Sequence, residues 1–141
     1  MKNLDSFHNE IMAAKFEALY KEAEEARKNA YAPYSGFQVG AALLTENDKI
    51  YRGVNVENAS YPLTNCAERS AVFAAVSGGE RHFTAIAICG GKGTDTKGPC
   101  YPCGACRQVL SEFCGKDFPV ILSDGVYTLG ELLPYSFQLE K

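Results

Sequence analysis

Two short segments, Cys66-Ala67-Glu68-Arg69 and Pro102-Cys103-Gly104-Ala105-Cys106-Arg107, constrain this chain more than any other feature. A fold that uses them must bring residue 66 and residues 103 to 106 to one point. Zinc takes thiolate ligands, and a catalytic zinc keeps three protein ligands so that water can hold the fourth position. Cys66, Cys103 and Cys106 can supply those three. Glu68, two residues beyond the first, would face the water as a proton carrier. The pattern is specific because each part has a separate job.

Both ligand groups fall at expected helix starts. Free N–H groups and the positive end of the helix dipole stabilise a thiolate there and lower its pKa. One helical turn also brings both sulfurs of a Cys-x-x-Cys to one ion. Three thiolates on Zn²⁺ leave a net negative charge, which makes the bound water a weaker acid than imidazole ligands would. A guanidinium donating to the sulfurs would withdraw that charge. Arg69 is the first candidate for this role and Arg107 the second.

Rival readings of the same residues exist. Asn65-x-x-Glu68 is also a capping-box pattern, in which the Glu only bonds back to the helix start. Cys100-Tyr101-Pro102-Cys103-Gly104-Ala105-Cys106 holds two overlapping Cys-x-x-Cys registers. A bacterial iron–sulfur run would need a further Cys four residues on, followed by Pro. The chain has Leu110-Ser111 there. A closed structural zinc site with Cys100 or Cys89 as fourth ligand is the more serious rival, and it leaves Glu68 without a purpose.

The 141 residues are expected to form one domain, 1–141, with 46% hydrophobic residues and no low-complexity tract. A net charge of −3 without a Lys/Arg cluster argues against a nucleic-acid polymer as partner. The opening Met1-Lys2-Asn3-Leu4-Asp5-Ser6 is polar, unlike a signal peptide, and no apolar run is long enough to cross a membrane. Six Cys without a secretory signal read as metal ligands and buried thiols, pointing to the cytoplasm. With only His8 and His82, a zinc site must rely on sulfur.

Met12, Phe16, Leu19, Ala23 and Ala26 recur at helical spacing, which predicts a covering helix from about His8 to Asn29. Two strands, Phe37 to Leu44 and Ile50 to Val56, flank the hairpin composition of Glu46-Asn47-Asp48-Lys49. A helix from near Asn65 to Ser77 carries Glu68. Thr84 to Cys89 reads as a central strand buried on both faces, and Gly90 to Gly98 as a loop. A third helix from about Cys103 to Cys114, a strand Pro119 to Leu122, a short helix Thr128 to Leu133 and a tail complete the chain. The order implies one sheet sandwiched by helices.

On these residues the chain resembles the small homotetrameric cytidine deaminases. The resemblance runs from Tyr34-Ser35-Gly36-Phe37-Gln38-Val39-Gly40-Ala41-Ala42-Leu43 through Asn55-Val56-Glu57-Asn58-Ala59-Ser60-Tyr61-Pro62 and both Cys segments to Leu132-Leu133-Pro134. It implies an α/β three-layer sandwich: a mixed five-stranded sheet with helices on both faces. It further implies one Zn²⁺ per subunit, bound by Cys66, Cys103 and Cys106, with Glu68 moving protons and Arg69 beside the ligands. Asn55 and Glu57 would hold the ribose hydroxyls, Phe37 would pack on the pyrimidine, and Ala67 would offer a backbone group to the base. Ala59, Tyr61 and Phe137 would complete substrate sites shared between subunits. Cys100 is a departure from the family, which has no ligand there.

The expected reaction is hydrolytic deamination of cytidine or deoxycytidine to uridine or deoxyuridine, serving pyrimidine salvage. Glu57 beside the sugar would repel a nearby 5′-phosphate, favouring a nucleoside over a nucleotide. One alternative is a deaminase of a cytosine nucleoside antibiotic of the blasticidin S type. The other is a non-catalytic structural-zinc module.

Overall fold

The structure is a computed structural model that describes residues 4–141, with side chains described from residue 9. Part of the polar opening segment, and the side chain of His8, lie outside the described residues. Among the described residues, five strands form one sheet in the order β2-β1-β3-β4-β5. The strands are β1 (Phe37–Thr45), β2 (Ile50–Val54), β3 (Phe83–Lys92), β4 (Pro119–Leu122) and β5 (Gly125–Thr128). β1 pairs antiparallel with β2 and β3, β3 runs parallel to β4, and β5 returns antiparallel, so the sheet is mixed.

Helix α1 (Leu4–Arg27) covers one face, starting earlier and ending sooner than its apolar spacing predicts. Its Leu19, Ala23 and Ala26 are buried, and Leu19 and Ala23 join Ala42, Leu44, Ala85, Ala87, Cys89 and Ile121 in one cluster. Helices α2 (Ala67–Ser77) and α3 (Gly104–Phe113) cover the other face. There Ala67, Ala71, Val72 and Leu110 pack on Val39, Ala41, Leu43, Ile86 and Ile88. Alternate residues of β1 and β3 thus divide between two cores, as period-two side chains must. The result is helices on both faces of a mixed five-stranded sheet.

Two glycines set the helix-to-sheet distance. A Cβ on Gly40 would overlap the backbone of Ala23 and Arg27 in α1, and one on Gly53 would overlap Ala67 and Ala71 in α2. The second contact seats the helix that carries Cys66 and Glu68.

The structure departs from the sequence reading in several places. β3 runs on to Lys92 because Phe37, Gln38 and Val39 pair with Lys92, Gly91 and Gly90, so the expected loop begins later. The β2 strand stops at Val54, and Val56 instead bridges Tyr31 and Asn65. A 3-10 turn, Tyr61–Leu63, stands between β2 and α2. The residue-level reading missed β5, although Asp124-Gly125 beside β-branched residues is a hairpin signal. Helix α4 is shorter than predicted, Leu129–Leu132, with Thr128 as its cap.

Candidate metal centre and active-site cleft

Two helix starts meet at the site. Cys66 is the N-cap of α2 and Cys103 the N-cap of α3, both with extended backbone. Cys106 lies in the first turn of α3 and is buried. The Cys66 and Cys103 sulfurs stand 3.7 Å apart and those of Cys103 and Cys106 3.5 Å apart. All three lie within 4.8 Å of one another. Thiolates held at about 2.3 Å from one tetrahedral zinc stand about 3.8 Å apart, so the sulfurs fit that ion. Among the described residues, no fourth potential ligand joins this group. Cys100 lines the adjoining cleft and Cys89 is buried against α1. The geometry is that of an open three-sulfur site.

Charge around the sulfurs is uneven. Hydrogen bonding from the Cys106 thiol, and then from Arg69, brings the Cys66 thiol well below its ordinary value against the opposing effect of burial. Arg69 Nη2 donates to Cys66 Sγ at 3.3 Å. Arg69 Nε is buried without a hydrogen-bond partner among the described residues. Arg107, the second candidate for charge withdrawal, has another job. Its Nε donates to the Pro102 carbonyl at 2.7 Å and its Nη1 to the Leu132 carbonyl at 2.5 Å, tying the Cys pair to the end of α4.

Glu68 is buried in the first turn of α2. Burial first, and then the negative charge at Cys66, pushes its carboxyl up to about 7. A carboxyl tuned there can both take and release a proton near neutrality. The capping-box alternative does not form. The cap is Cys66, and Asn65 Nδ2 donates to Ser70 Oγ at 3.1 Å.

A cleft of about 410 Å³ opens beside the sulfurs. It brings Phe37, Asn55, Glu57, Tyr61 and Ala67 together with Glu68. Two of the expected substrate residues are already engaged. Asn55 Nδ2 donates to the Phe37 carbonyl at 2.8 Å, and its Oδ1 accepts from Val39 N at 2.9 Å. Glu57 accepts from the Tyr34 and Ser35 amides at 2.9 and 3.1 Å and from the Ser35 hydroxyl at 2.5 Å. The Ser35 hydroxyl is the leading reason that the Glu57 carboxyl sits below its ordinary value, so it is a carboxylate at neutral pH. Ser35 lines the cleft and was not picked out by sequence reasoning; its signal was the Pro33-to-Gly36 turn, where Gly36 takes φ +70°.

Ala59 and Phe137 are not in this cleft. Ala59 is exposed, and Phe137 is 66% exposed with its carbonyl accepting from Gln108 Nε2. The tail lies along α3, where Gln138 Nε2 donates to the Ser111 carbonyl.

Residues 13–122 match the family model described as the cytidine and deoxycytidylate deaminase zinc-binding region. The chain is 53% identical over 127 residues to a cytidine deaminase of Halalkalibacterium halodurans, covering 86% of this chain and 93% of that protein. It is 50% identical over 129 residues to one of Sporosarcina psychrophila, covering 88% and 92%. Among solved structures, the cytidine deaminase of Burkholderia pseudomallei superposes with a TM-score of 0.78 at 50% identity, covering 86% of this chain and 98% of that one. That of Mycobacterium tuberculosis gives 0.78 at 40% identity, covering 88% and 98%.

Proposed function

The chain belongs to the family of cytidine and deoxycytidylate deaminases, and from that membership we propose that Glu68 carries the protons in a deamination of free pyrimidine nucleosides. The enzyme is a zinc-dependent hydrolase acting on cytidine, converting it with water to uridine and ammonia. Deoxycytidine is the second substrate we assign to it. The observation that carries the proposal is a buried carboxyl tuned to about 7 beside three clustered sulfurs at one end of an open cleft.

Zinc, when bound by Cys66, Cys103 and Cys106, supplies the Lewis acidity that makes water a nucleophile near neutral pH. Glu68 takes the proton released from that water and delivers it to N3, as C4 becomes tetrahedral. It then moves the proton of the new C4 hydroxyl to the amine, and the C4–N bond breaks, releasing ammonia and leaving the C4 carbonyl of uridine. Arg69 holds charge away from Cys66 through its hydrogen bond. Phe37 packs on the pyrimidine, and the Ala67 backbone meets the base. Asn55 and Glu57 face the ribose. Their hydrogen bonds to Phe37, Val39, Tyr34 and Ser35 hold them in place. Asn55 keeps a second Nδ2 hydrogen and a second Oδ1 lone pair for the sugar, whereas Glu57 Oε1 is filled by two amides, so Oε2, which the Tyr61 hydroxyl approaches only at 3.5 Å, is the atom that faces it. The Glu57 carboxylate disfavours a 5′-phosphate, which supports nucleoside over nucleotide.

A homotetramer with shared sites is part of the same reading. Tyr61 and Phe137 are exposed in one chain at 54% and 66%, and Leu63 and Phe73 add apolar surface. Tyr61 already lines the cleft of its own chain, and a neighbouring subunit that covers this surface would add Ala59 and Phe137, which lie outside it. No helix among the described residues is long and apolar enough to cross a membrane. The free thiols of all six cysteines support a reducing compartment such as the cytoplasm, and a role in pyrimidine salvage fits the substrate.

The test is loss of the cytidine chromophore, with ammonia release, by zinc-loaded protein. Deoxycytidine, cytidine 5′-phosphate and blasticidin S serve as parallel substrates. Turnover of the phosphate at the nucleoside's rate would overturn the role given to Glu57. Zinc binding without any turnover would return the site to a structural one.

A further inference from the structure

Cys100 stands three residues before Cys103, the same interval that separates Cys103 from Cys106, yet its sulfur is outside the metal group. It is partly buried and lines the cleft together with Phe37 and Glu68. Below it, β3 carries Gly90. A Cβ at residue 90 would lie 2.6 Å from Cys100 Sγ and 3.0 Å from Phe37 Cε1. The missing side chain at 90 therefore makes a hollow that the thiol and the aromatic ring fill together. Burial, reinforced by the charge of Glu68, holds the Cys100 thiol at about 12, so this wall is neutral near pH 7.

The base assigned to the cleft under the proposed function has one edge still without a partner. C4 faces the sulfur cluster, N3 faces Glu68, the ring carbonyl side meets Ala67, and N1 carries the ribose toward Asn55 and Glu57. What is left is the apolar C5–C6 edge. The apolar lining without a role toward the base is Val39, Cys100 and Tyr101, and of these Cys100 is the one whose side chain shares the hollow over Gly90 with the Phe37 ring that packs on the base. We propose that Cys100 is the residue that gauges the pyrimidine C5 position, its sulfur setting the size of substituent the enzyme accepts. This rests on the placement of the base given above. No covalent step is involved; the thiol acts by its volume.

The experiment compares kcat/KM for 5-methylcytidine and cytidine in zinc-loaded wild type, Cys100→Ala and Cys100→Leu. One methyl group in an apolar pocket changes discrimination by about tenfold or more. Cys100→Ala should raise the 5-methylcytidine to cytidine ratio by about tenfold, and Cys100→Leu should lower it, with zinc content unchanged in both. A ratio that stays within about twofold of wild type in both variants overturns the proposal, while cytidine turnover by wild type leaves the reading of the reaction intact. Absence of cytidine turnover in zinc-loaded wild type would sink both. Should either variant fail to fold, the wild-type enzyme decides: at about pH 9, where a trace of the Cys100 thiolate is present, saturating uridine should slow iodoacetamide labelling of Cys100, read by peptide mass mapping, about tenfold. Labelling that uridine does not slow would place Cys100 away from the base and overturn the proposal.

Discussion

Gly53→Ala probes how the sheet holds helix α2, which begins at Cys66 and bears Glu68. The added methyl would overlap the Ala67 carbonyl and the Ala71 amide and lie 2.9 Å from Ala71 Cα, all of it backbone that cannot rotate away. Real Cβ atoms essentially never approach closer than 3.0 Å, and ordinary contact starts near 3.4 Å. Helix α2 must therefore lift from β2 by on the order of 1 Å, carrying Cys66 and Glu68 with it. Overpacking of this kind costs about 1–3 kcal/mol of stability, and a displacement of about 1 Å at a reacting group costs about 10²-fold in rate. Gly40→Ala is the matched control. Its methyl would meet the backbone of Ala23 and Arg27 equally hard, but α1 lies on the opposite face and carries no ligand or proton carrier. Chemical denaturation should show similar stability losses in the two variants. Cytidine kcat/KM per zinc-loaded molecule should fall about 10²-fold in Gly53→Ala and only a few-fold in Gly40→Ala. Equal losses in the two, or an undiminished rate in Gly53→Ala, would refute the claim that this contact positions the site.

Glu68→Gln should keep fold and zinc and lose at least about 10²–10⁴ in rate. The same variant tests the tuning. The Glu68 carboxyl is raised in the fold from 4.5 to about 7, so its contribution to stability is intact below 4.5 and lost as pH rises through 7. Metal-free Glu68→Gln should accordingly overtake metal-free wild type across that window by up to about 3 kcal/mol, seen as diverging denaturation curves; parallel curves would contradict the shift. Arg69→Ala removes the donor to Cys66 and should move the acidic limb of the pH–rate profile to higher pH, with little change in KM. A profile that stays put while stability falls would make Arg69 a packing residue. Phe137→Ala should raise KM for cytidine roughly ten- to a hundred-fold, because stacking on a base is worth about 1–3 kcal/mol. A monomeric, fully active wild type in sedimentation would rule out sharing of sites.

What the sequence revealed, and what it hid, follows from how far each feature reaches along the chain. The β1–β2 hairpin, the buried β3 and β4 and the spans of α2 and α3 were legible because period and turn chemistry are local. β5 was not. It is a four-residue strand with no fully buried residue, and only the family resemblance supplied a fifth strand. The cysteines and Glu68 were legible because their spacing lies within single helical turns. Sequence ranked Arg69 ahead of Arg107, but the reason Arg107 is engaged elsewhere was not legible, since the Leu132 carbonyl that claims it lies far along the chain. Likewise Asn55 and Glu57 could be named, but the amides and hydroxyl that hold them come from residues 34 to 39 across the cleft.

The helix caps tie the fold to the metal and carry a last prediction. Helix α4, which carries none of the three sulfurs and meets the site only through Arg107, begins with a complete capping box in which Thr128 and Glu131 exchange hydrogen bonds. Helices α2 and α3 begin instead on Cys66 and Cys103, whose side chains cap nothing. Substituting a good N-cap by a poor one costs about 0.5–2 kcal/mol, so α2 and α3 both start with a local deficit. A metal that ties the two sulfurs to Cys106 offsets that deficit, because a bound ion adds its binding free energy to folding. Removal of zinc by chelation should therefore lower the denaturation midpoint and loosen the first turns of α2 and α3 selectively. Hydrogen exchange reads this directly. The amides of Ser70 and Arg107, which donate to the carbonyls of Cys66 and Cys103 at 3.0 Å, should lose protection on chelation. The Leu133 amide, bonded to Leu129 in α4, should not. Equal loss at all three amides would mean that the metal stabilises the chain globally, and the argument from the caps would fail.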